Sequence, residues 1–286
     1  AEIEKPTCNV EQNGWATSKT VVATYPDGYK KEYSIDGGKT WQTYTNKVTF
    51  NAIGSFIARA TDNENYADST VCMVTEIDLT PPTKPEISLS YTSGKIAVNV
   101  VTKSVDSESG ITGYQFSIDN GVTWNPTVPQ SSTLFELGNV TTKTYTIISR
   151  AVNGTYGNLK NVNEINSILS DSKSLSIYKV SFDANGGSVS TTDKLVAYNS
   201  QYGTLPTPTK MGTDYNYTFA GWYTSASGGT RVTESSTFTS TSNQTLYAHW
   251  TATEKTYTVY FNANGGSVST SSKSVSYNST YGSLPT

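Results

Sequence analysis

The chain has 286 residues, 15% of them charged against about 25% in an average soluble domain, and a formal net charge of −3. Its lysines are scattered and form no basic stripe, which excludes the electrostatic footprint of nucleic-acid binding, and no apolar run approaches the roughly 18 residues of a membrane span. A single histidine, His249, excludes multi-histidine metal sites and any histidine-relay nucleophile built elsewhere than on that residue.

Serine, threonine, asparagine, glycine and tyrosine dress the surface with hydroxyls and amides, as is common in secreted β proteins. The opening AEIEKPTCNV has no signal-peptide pattern, so a mature or trimmed piece of a longer extracellular protein is expected. Residues 1–80 alternate short β-branched and aromatic runs with turn residues, the pattern of an all-β sandwich. Strands are expected at KTVVATY (19–25), YKKEYSI (29–35), KVTFNA (47–52), SFIARAT (55–61) and STVCMVTEI (69–77). Within SFIARAT, Phe56, Ala58 and Ala60 share one face and Arg59 takes the other. The two cysteines, Cys8 and Cys72, fall on the first and last strands of this segment. An isolated pair in a secreted protein suits a disulfide; two buried thiols packing as small hydrophobes is the other reading.

Pro81, Pro82 and Pro85 in EIDLTPPTKPEI remove backbone donors and predict a short, stiff joint. Residues 81–177 repeat the sandwich pattern with longer loops: KPEISLS, KIAVNVV, ITGYQFSI, TLFELG and TYTIISRAV are the expected strands, and IISRAV aligns with FIARAT. Tyr114, Phe116 and Ile118 alternate with Gln115 and Ser117, which predicts one core face and one polar face. The stretch VNGTYGNLKNVNEINSILSDSK exceeds a typical connection and leaves room for an extra strand or short helix.

Each of these two segments carries one S-x-D-x-G-x-T-W match, Ser34 to Trp41 and Ser117 to Trp124. This pattern resembles the Asp-box hairpin of sialidase propellers and other β proteins. Its physical content is local, with the Asp accepting turn amides, Gly supplying positive φ and Trp folding back over the hairpin. A sialidase needs converging arginines, whereas Arg59, Arg150 and Arg231 fall one to a segment. The two boxes also lie 83 residues apart, against a propeller repeat of roughly 40 to 50. Two carboxylate pairs, Asp62 with Glu64 and Asp106 with Glu108, sit in equivalent connections; calcium asks for six to eight oxygens, so solvated loops are expected. The joint ID.TPP.KP, VDSESGITGYQFSIDNGVTW (105–124) and ARATDNENYADS (58–69) together resemble the immunoglobulin-like and fibronectin type III-like modules of Gram-positive surface proteins.

From Tyr178 the pattern changes. FDANGG makes a tight hairpin, because Asn and Gly tolerate left-handed backbone angles. VAYNSQYGTLPTPTKMG follows, with a short helical turn expected near Tyr198 to Tyr202, and YTFAGWYT, RVTESSTF and TLYAHW supply further strands. Phe219, Trp222, Leu246 and Trp250 are the expected core, in preference to a sugar-stacking platform. His249 alternates with Leu246, Ala248 and Trp250 closely enough to predict a surface position. Residues 259–286 then repeat residues 180–207 with 20 of 28 positions identical. FDANGG, YG.LP.P, YTFAGWY, GGT and LYAHW resemble, in order, the internalin-type B repeat of bacterial surface proteins. The resemblance implies a small β-grasp-like sheet, a secreted cell-surface location and a role in adhesion or in extending another domain; the insert GTDYN departs from the pattern and is expected only to lengthen a loop.

The expected architecture is mainly β: two Ig-like sandwiches (1–80 and 81–177), one B repeat (178–252) and an incomplete second (253–286). No catalytic, cofactor-binding or metal residues are expected. The expected role is that of a non-catalytic adhesin or spacer segment of an extracellular protein, with host protein or glycan as partner and neighbouring repeats in contact. The alternative is a carbohydrate-binding accessory region of a secreted glycan-active enzyme.

Overall fold

A computed structural model of the chain describes residues 2–156 and 169–286. The extra strand or helix expected within residues 152–173 falls largely on residues outside that description. The chain divides into two compact units, Ala1–Leu137 with Thr146–Ser174, and Gly138–Tyr145 with Leu175–Thr286. The first therefore gathers residues from both stretches expected to be sandwiches.

Strands β1 (Thr7–Val10), β2 (Lys19–Thr24), β3 (Lys30–Ser34), β4 (Gln42–Thr43), β5 (Val48–Phe50), β6 (Gly54–Thr61), β7 (Tyr66–Asp68) and β8 (Cys72–Val74) form two facing antiparallel sheets. Their orders are β1-β2-β5 and β4-β3-β6-β7, with β8 also on β6. Period-2 alternation puts Phe56, Ala58 and Ala60 into the space between them, all fully buried with Val21 and Val74. The small alanines leave room for aromatic partners: Tyr33 stacks on Phe56 at 5.4 Å, and Tyr44 meets Phe56 edge-on. A disulfide joins Cys8 on β1 to Cys72 on β8.

In β9 (Glu86–Thr92), β10 (Lys95–Thr102), β11 (Ile111–Ser117), β12 (Asn125–Gln130), β13 (Leu134–Leu137) and β14 (Thr144–Asn153), the same plan gives sheets β13-β10-β9 and β12-β11-β14. Ile96, Val98, Phe116 and Ile147 fill the interior, and Phe116 stacks on Phe135 at 5.0 Å. The expected polar face of β11 does not reach water. Gln115 is 2% exposed and Ser117 fully buried, because Arg150 lies over Gln115 and the following hairpin folds back over Ser117.

The second unit is built on β15 (Lys173–Asp183), β16 (Asp193–Ala197), β17 (Tyr215–Tyr223), β18 (Arg231–Val232) and β19 (Gln244–Glu254). β16 flanks one edge of β15 antiparallel, while β19 runs parallel on the other with Phe182 opposite Leu246; β17 and β18 follow. Asn185 and Gly186, with φ of 49° and 83°, make the tight turn that FDANGG predicts. Trp222, 1% exposed, centres a core of Val180, Phe182, Val196, Phe238 and Leu246, with Phe219 and Trp250 packed against it. The helical turn expected near Tyr198 does not form. Asn199 takes a left-handed conformation and Gln201 bridges Thr237, so the segment is a turn running into an isolated bridge.

After Lys255 comes a second hairpin, β20 (Thr256–Tyr260) with β21 (Ser272–Ser276). Its register, Thr256 opposite Ser276 through Tyr260 opposite Ser272, is that of β15 on β16 displaced by 79 residues. The insert GTDYN does more than lengthen a loop. The Gly212 carbonyl accepts from Lys255 Nζ (2.7 Å), the Asp214 carbonyl from the Lys255 amide (3.0 Å), and the Thr213 carbonyl from the Tyr257 hydroxyl (3.3 Å). The insert is a strap from the first repeat copy to the second. The Asp214 carboxylate also pushes the Tyr277 hydroxyl above the ordinary tyrosine range.

Candidate functional site

The S-x-D-x-G-x-T-W hairpins are the first place to look for chemistry, and their carboxylates are fully engaged. Asp36 Oδ1 accepts from Ser34 Oγ (2.7 Å), Lys39 N (3.0 Å) and Thr40 N (2.9 Å), and Oδ2 accepts from Thr40 Oγ1 (2.6 Å). Asp119 repeats the arrangement with Ser117 Oγ, Thr123 N and Thr123 Oγ1. Donors stabilise the ionised form: the Thr123 hydroxyl and amide, then Ser117, lower Asp119 to about 2, and Thr40 with Ser34 hold Asp36 well below the usual carboxylate range. Both are anions dedicated to closing a turn.

Behind each box the tryptophan covers an arginine, an association that sequence reasoning missed. Arg59 is sandwiched between Trp41 (3.6 Å) and Tyr66 (3.9 Å) and grips Asp68 with two parallel bonds of 2.7 and 2.9 Å. Arg150 lies 4.1 Å over Trp124 and donates from Nε and one terminal nitrogen to Gln115 Oε1. Asp68 pushes the Arg59 guanidinium up, whereas burial pushes Arg150 down. The pairing of an Arg on one strand with a Trp closing the hairpin in both copies was the available signal. Arg59 is thus held by Trp41, Tyr66 and Asp68, and Arg150 by Trp124 and Gln115.

The carboxylate pairs behave differently from each other. Asp62 Oδ1 accepts the amides of Glu64 and Asn65, an ordinary local turn. Asp106 and Glu108 are joined by Asp78, which is 1% exposed and comes from the proline joint; one oxygen from each of the three lies within 4.8 Å of the others. Asn153 Nδ2 sits among them, donating to Asp78 Oδ2 (3.1 Å), Asp106 Oδ2 (3.2 Å) and the Thr80 carbonyl (3.3 Å). Ser109 Oγ donates to Asp78 Oδ2 at 2.5 Å, and Thr80 Oγ1 donates to Glu108 Oε2 at 2.8 Å. These oxygens are of the kind that hard cations take. As arranged, amide and hydroxyl donors balance them and tie the joint to the β10–β11 loop. Asp78 was missed because two of its partners, Ser109 and Asn153, lie 31 and 75 residues further along the chain.

In the second unit, Trp222 Nε1 donates to the Pro206 carbonyl (2.8 Å) and Trp250 Nε1 to the Ala184 carbonyl (3.0 Å), so both rings serve the core and its hairpin. His249 sits on the outward face, stacked on Tyr223 at 3.9 Å with Nε2 2.9 Å from the Ser225 carbonyl. A shallow groove of about 340 Å³ is lined by Tyr202, Arg231, Gln244, Ser236 and several threonines.

Fold and polar clusters together define a mainly β protein of sandwich type, assembled from successive units and carrying an internal repeat. Residues 178–249 and 257–286 match the family model of the Listeria-Bacteroides repeat domain, a repeat that occurs in bacterial surface proteins. No curated protein matches the chain. Among the described residues no helix is long and apolar enough to cross a membrane.

Proposed function

We propose that this chain is a non-catalytic segment of a secreted bacterial cell-surface protein, acting as a spacer or adhesive stalk. Its organisation would be two immunoglobulin-like sandwiches (1–80 and 81–177), an internalin-type B repeat (178–252) and the first half of another (253–286). One observation carries the reading: the polar groups that could do chemistry are used to fasten the fold. Asp36 and Asp119 close turns, Asp78 and Asn153 tie down the joint, and Asn185 holds its hairpin to Ala248. Catalytic groups instead sit in clefts with a free reactive face. The repeat match supports the surface location.

The test is antibody labelling of intact cells of the producing bacterium. Labelling that protease shaving removes is expected; confinement of the antigen to the cytosol would refute the reading. The groove of Tyr202, Arg231 and Gln244 favours a second reading, a carbohydrate-binding accessory region, since hydroxyls and a guanidinium suit a sugar rim. Saturable, competable binding on a glycan array, lost in Arg231→Ala, would select that alternative.

A further inference from the structure

Beside the strap, the second unit carries two lysines whose charge nothing nearby balances. Lys210 lies two residues before the GTDYN insert, and Lys255 directly follows β19. Both are half-buried, although lysine ordinarily keeps its charged head in water. Lys210 Nζ donates to the Asn185 carbonyl (3.2 Å) and stands 4.6 Å over the Tyr217 ring. Lys255 Nζ donates to the Gly212 carbonyl (2.7 Å). An ammonium group has three donors, so each lysine keeps donors to spare. Neither forms an ion pair among the described residues, and the neighbouring Asp214 carboxylate is engaged by Tyr277.

The two lysines meet at one place. A pocket of about 250 Å³ has Lys210, Lys255, Gly212, Tyr215 and Tyr217 in its walls, and no carboxylate lines it. Strand alternation and one glycine set its shape. Tyr215 and Tyr217 take the same face of β17, where Glu254, opposite Tyr215, is exposed and outside the pocket. Gly212 crosses the edge of the Tyr217 ring so closely that a Cβ there would lie 2.5 Å from the ring, which only glycine allows. Two partly dehydrated cations around one small cavity repel each other and lack the hydration they have in water. An anion entering the cavity relieves both penalties.

We propose that this pocket binds an acidic sugar residue of a glycan, with the ring against the Tyr215–Tyr217 wall and its carboxylate or sulfate between the Lys210 and Lys255 ammonium groups. Size and charge select that occupant. The volume is below the roughly 300 to 1,000 Å³ of sites that take drug-sized molecules, so it suits one ring with its substituents. Tyrosine offers such a ring an apolar face with a hydroxyl at its tip. A polynucleotide needs a longer basic track than two lysines, and the chain's other lysines are scattered. The site shares no lining residue with the groove of Tyr202, Arg231 and Gln244 and stands whether or not that groove binds carbohydrate.

The test is a chemical-shift titration of the full, isotope-labelled chain with two acidic probes, each beside its uncharged counterpart. These are tetragalacturonate with its methyl ester, and 6-sulfated N-acetyllactosamine with plain N-acetyllactosamine. Saturable shifts centred on residues 210–217 and 255 are expected for at least one acidic probe, with Kd between about 10 μM and 1 mM, and no saturation by either counterpart. The pair that responds tells carboxylate from sulfate. Lys210→Gln and Lys255→Gln each keep a donor for the carbonyl the lysine holds and remove the charge; each should weaken binding about tenfold. Lys210→Arg, which keeps the charge, should stay within about threefold of the parent. Should a Gln variant unfold the repeat, the unmodified chain still decides, since raising salt from about 50 to 500 mM should weaken binding about fivefold or more. Failure of both acidic probes to saturate, equal binding of the uncharged counterparts, or indifference to salt and to both Gln substitutions would each overturn the proposal. Shifts centred on residues 224–244 would overturn it too, while leaving the Arg231 groove as the sugar site.

Discussion

The Cys8–Cys72 disulfide closes a loop with a sequence separation of 64, nearly the whole of the first sandwich. Cross-linking removes conformations from the unfolded chain, and the chain-entropy relation for a loop of that length gives about 4 kcal/mol at 25 °C. That is a large share of the roughly 5 to 15 kcal/mol by which a typical domain is stable. The sandwich interior is small, with Val21, Phe56, Ala58, Ala60 and Val74 as its fully buried side chains, so the cross-link is a sizeable part of what holds it. The Cys8→Ser, Cys72→Ser double variant should therefore lower the denaturation midpoint of residues 2–78 sharply and leave residues 178–254 unchanged. Because the chain divides into two compact units, hydrogen exchange resolved by peptide across a urea series is the suitable assay. Thiol titration of the unfolded, unreduced parent should find no free thiol. A loss below about 1 kcal/mol in the first sandwich, or two reactive thiols in the parent, would refute the reasoning.

Three further outcomes follow from named contacts. Asp119 has its folded value lowered to about 2, below the ordinary unfolded value of about 3.9, so its contribution to stability is fully present above pH 4 and is lost as pH falls through about 2; Asp119→Asn should flatten that acid limb in a pH-dependent melting series. Gly187→Ala would put a Cβ 2.5 Å from the Thr209 carbonyl and 2.7 Å from Trp250, costing about 1 to 3 kcal/mol, whereas Gly266→Ala, 3.3 Å from the Ala263 carbonyl in the uncovered copy, should be close to neutral in denaturant midpoint. Arg59→Lys keeps the charge but loses the planar stack on Trp41 and the paired bonds to Asp68, and a loss of about 1 kcal/mol in urea unfolding is expected.

Strand alternation carried most of the fold into the sequence. Phe56, Ala58 and Ala60 show their burial by spacing alone, and the Asn185-Gly186 turn is dictated by two residues that accept positive φ. The box motif also disclosed its turn, since every donor to Asp36 lies within four residues. What stayed hidden depends on contacts distant in the chain. Asp78 looked like part of a linker until Asn153 and Ser109 came to it across two loops. Gln115 looked solvent-facing because alternation specifies only that a face is polar, and an arginine lying over that face buries it. The GTDYN insert looked like slack because its role is carried by three backbone carbonyls, which leave no trace in side-chain pattern. The helical turn expected near Tyr198 is broken by Asn199 in a left-handed conformation.

The two repeat copies permit a direct measurement, because the same core residues occur once with a covering sheet and once without it. Native-state hydrogen exchange of the unmodified chain should be compared between residues 178–183 and 257–262. Exchange slower by about a hundredfold or more in 178–183 is expected, since Val180 is sealed under β19 while β20 keeps an open edge. Equal protection in the two segments would contradict the conclusion that β19, with Trp222, Phe238 and Leu246, seals the core of the first copy.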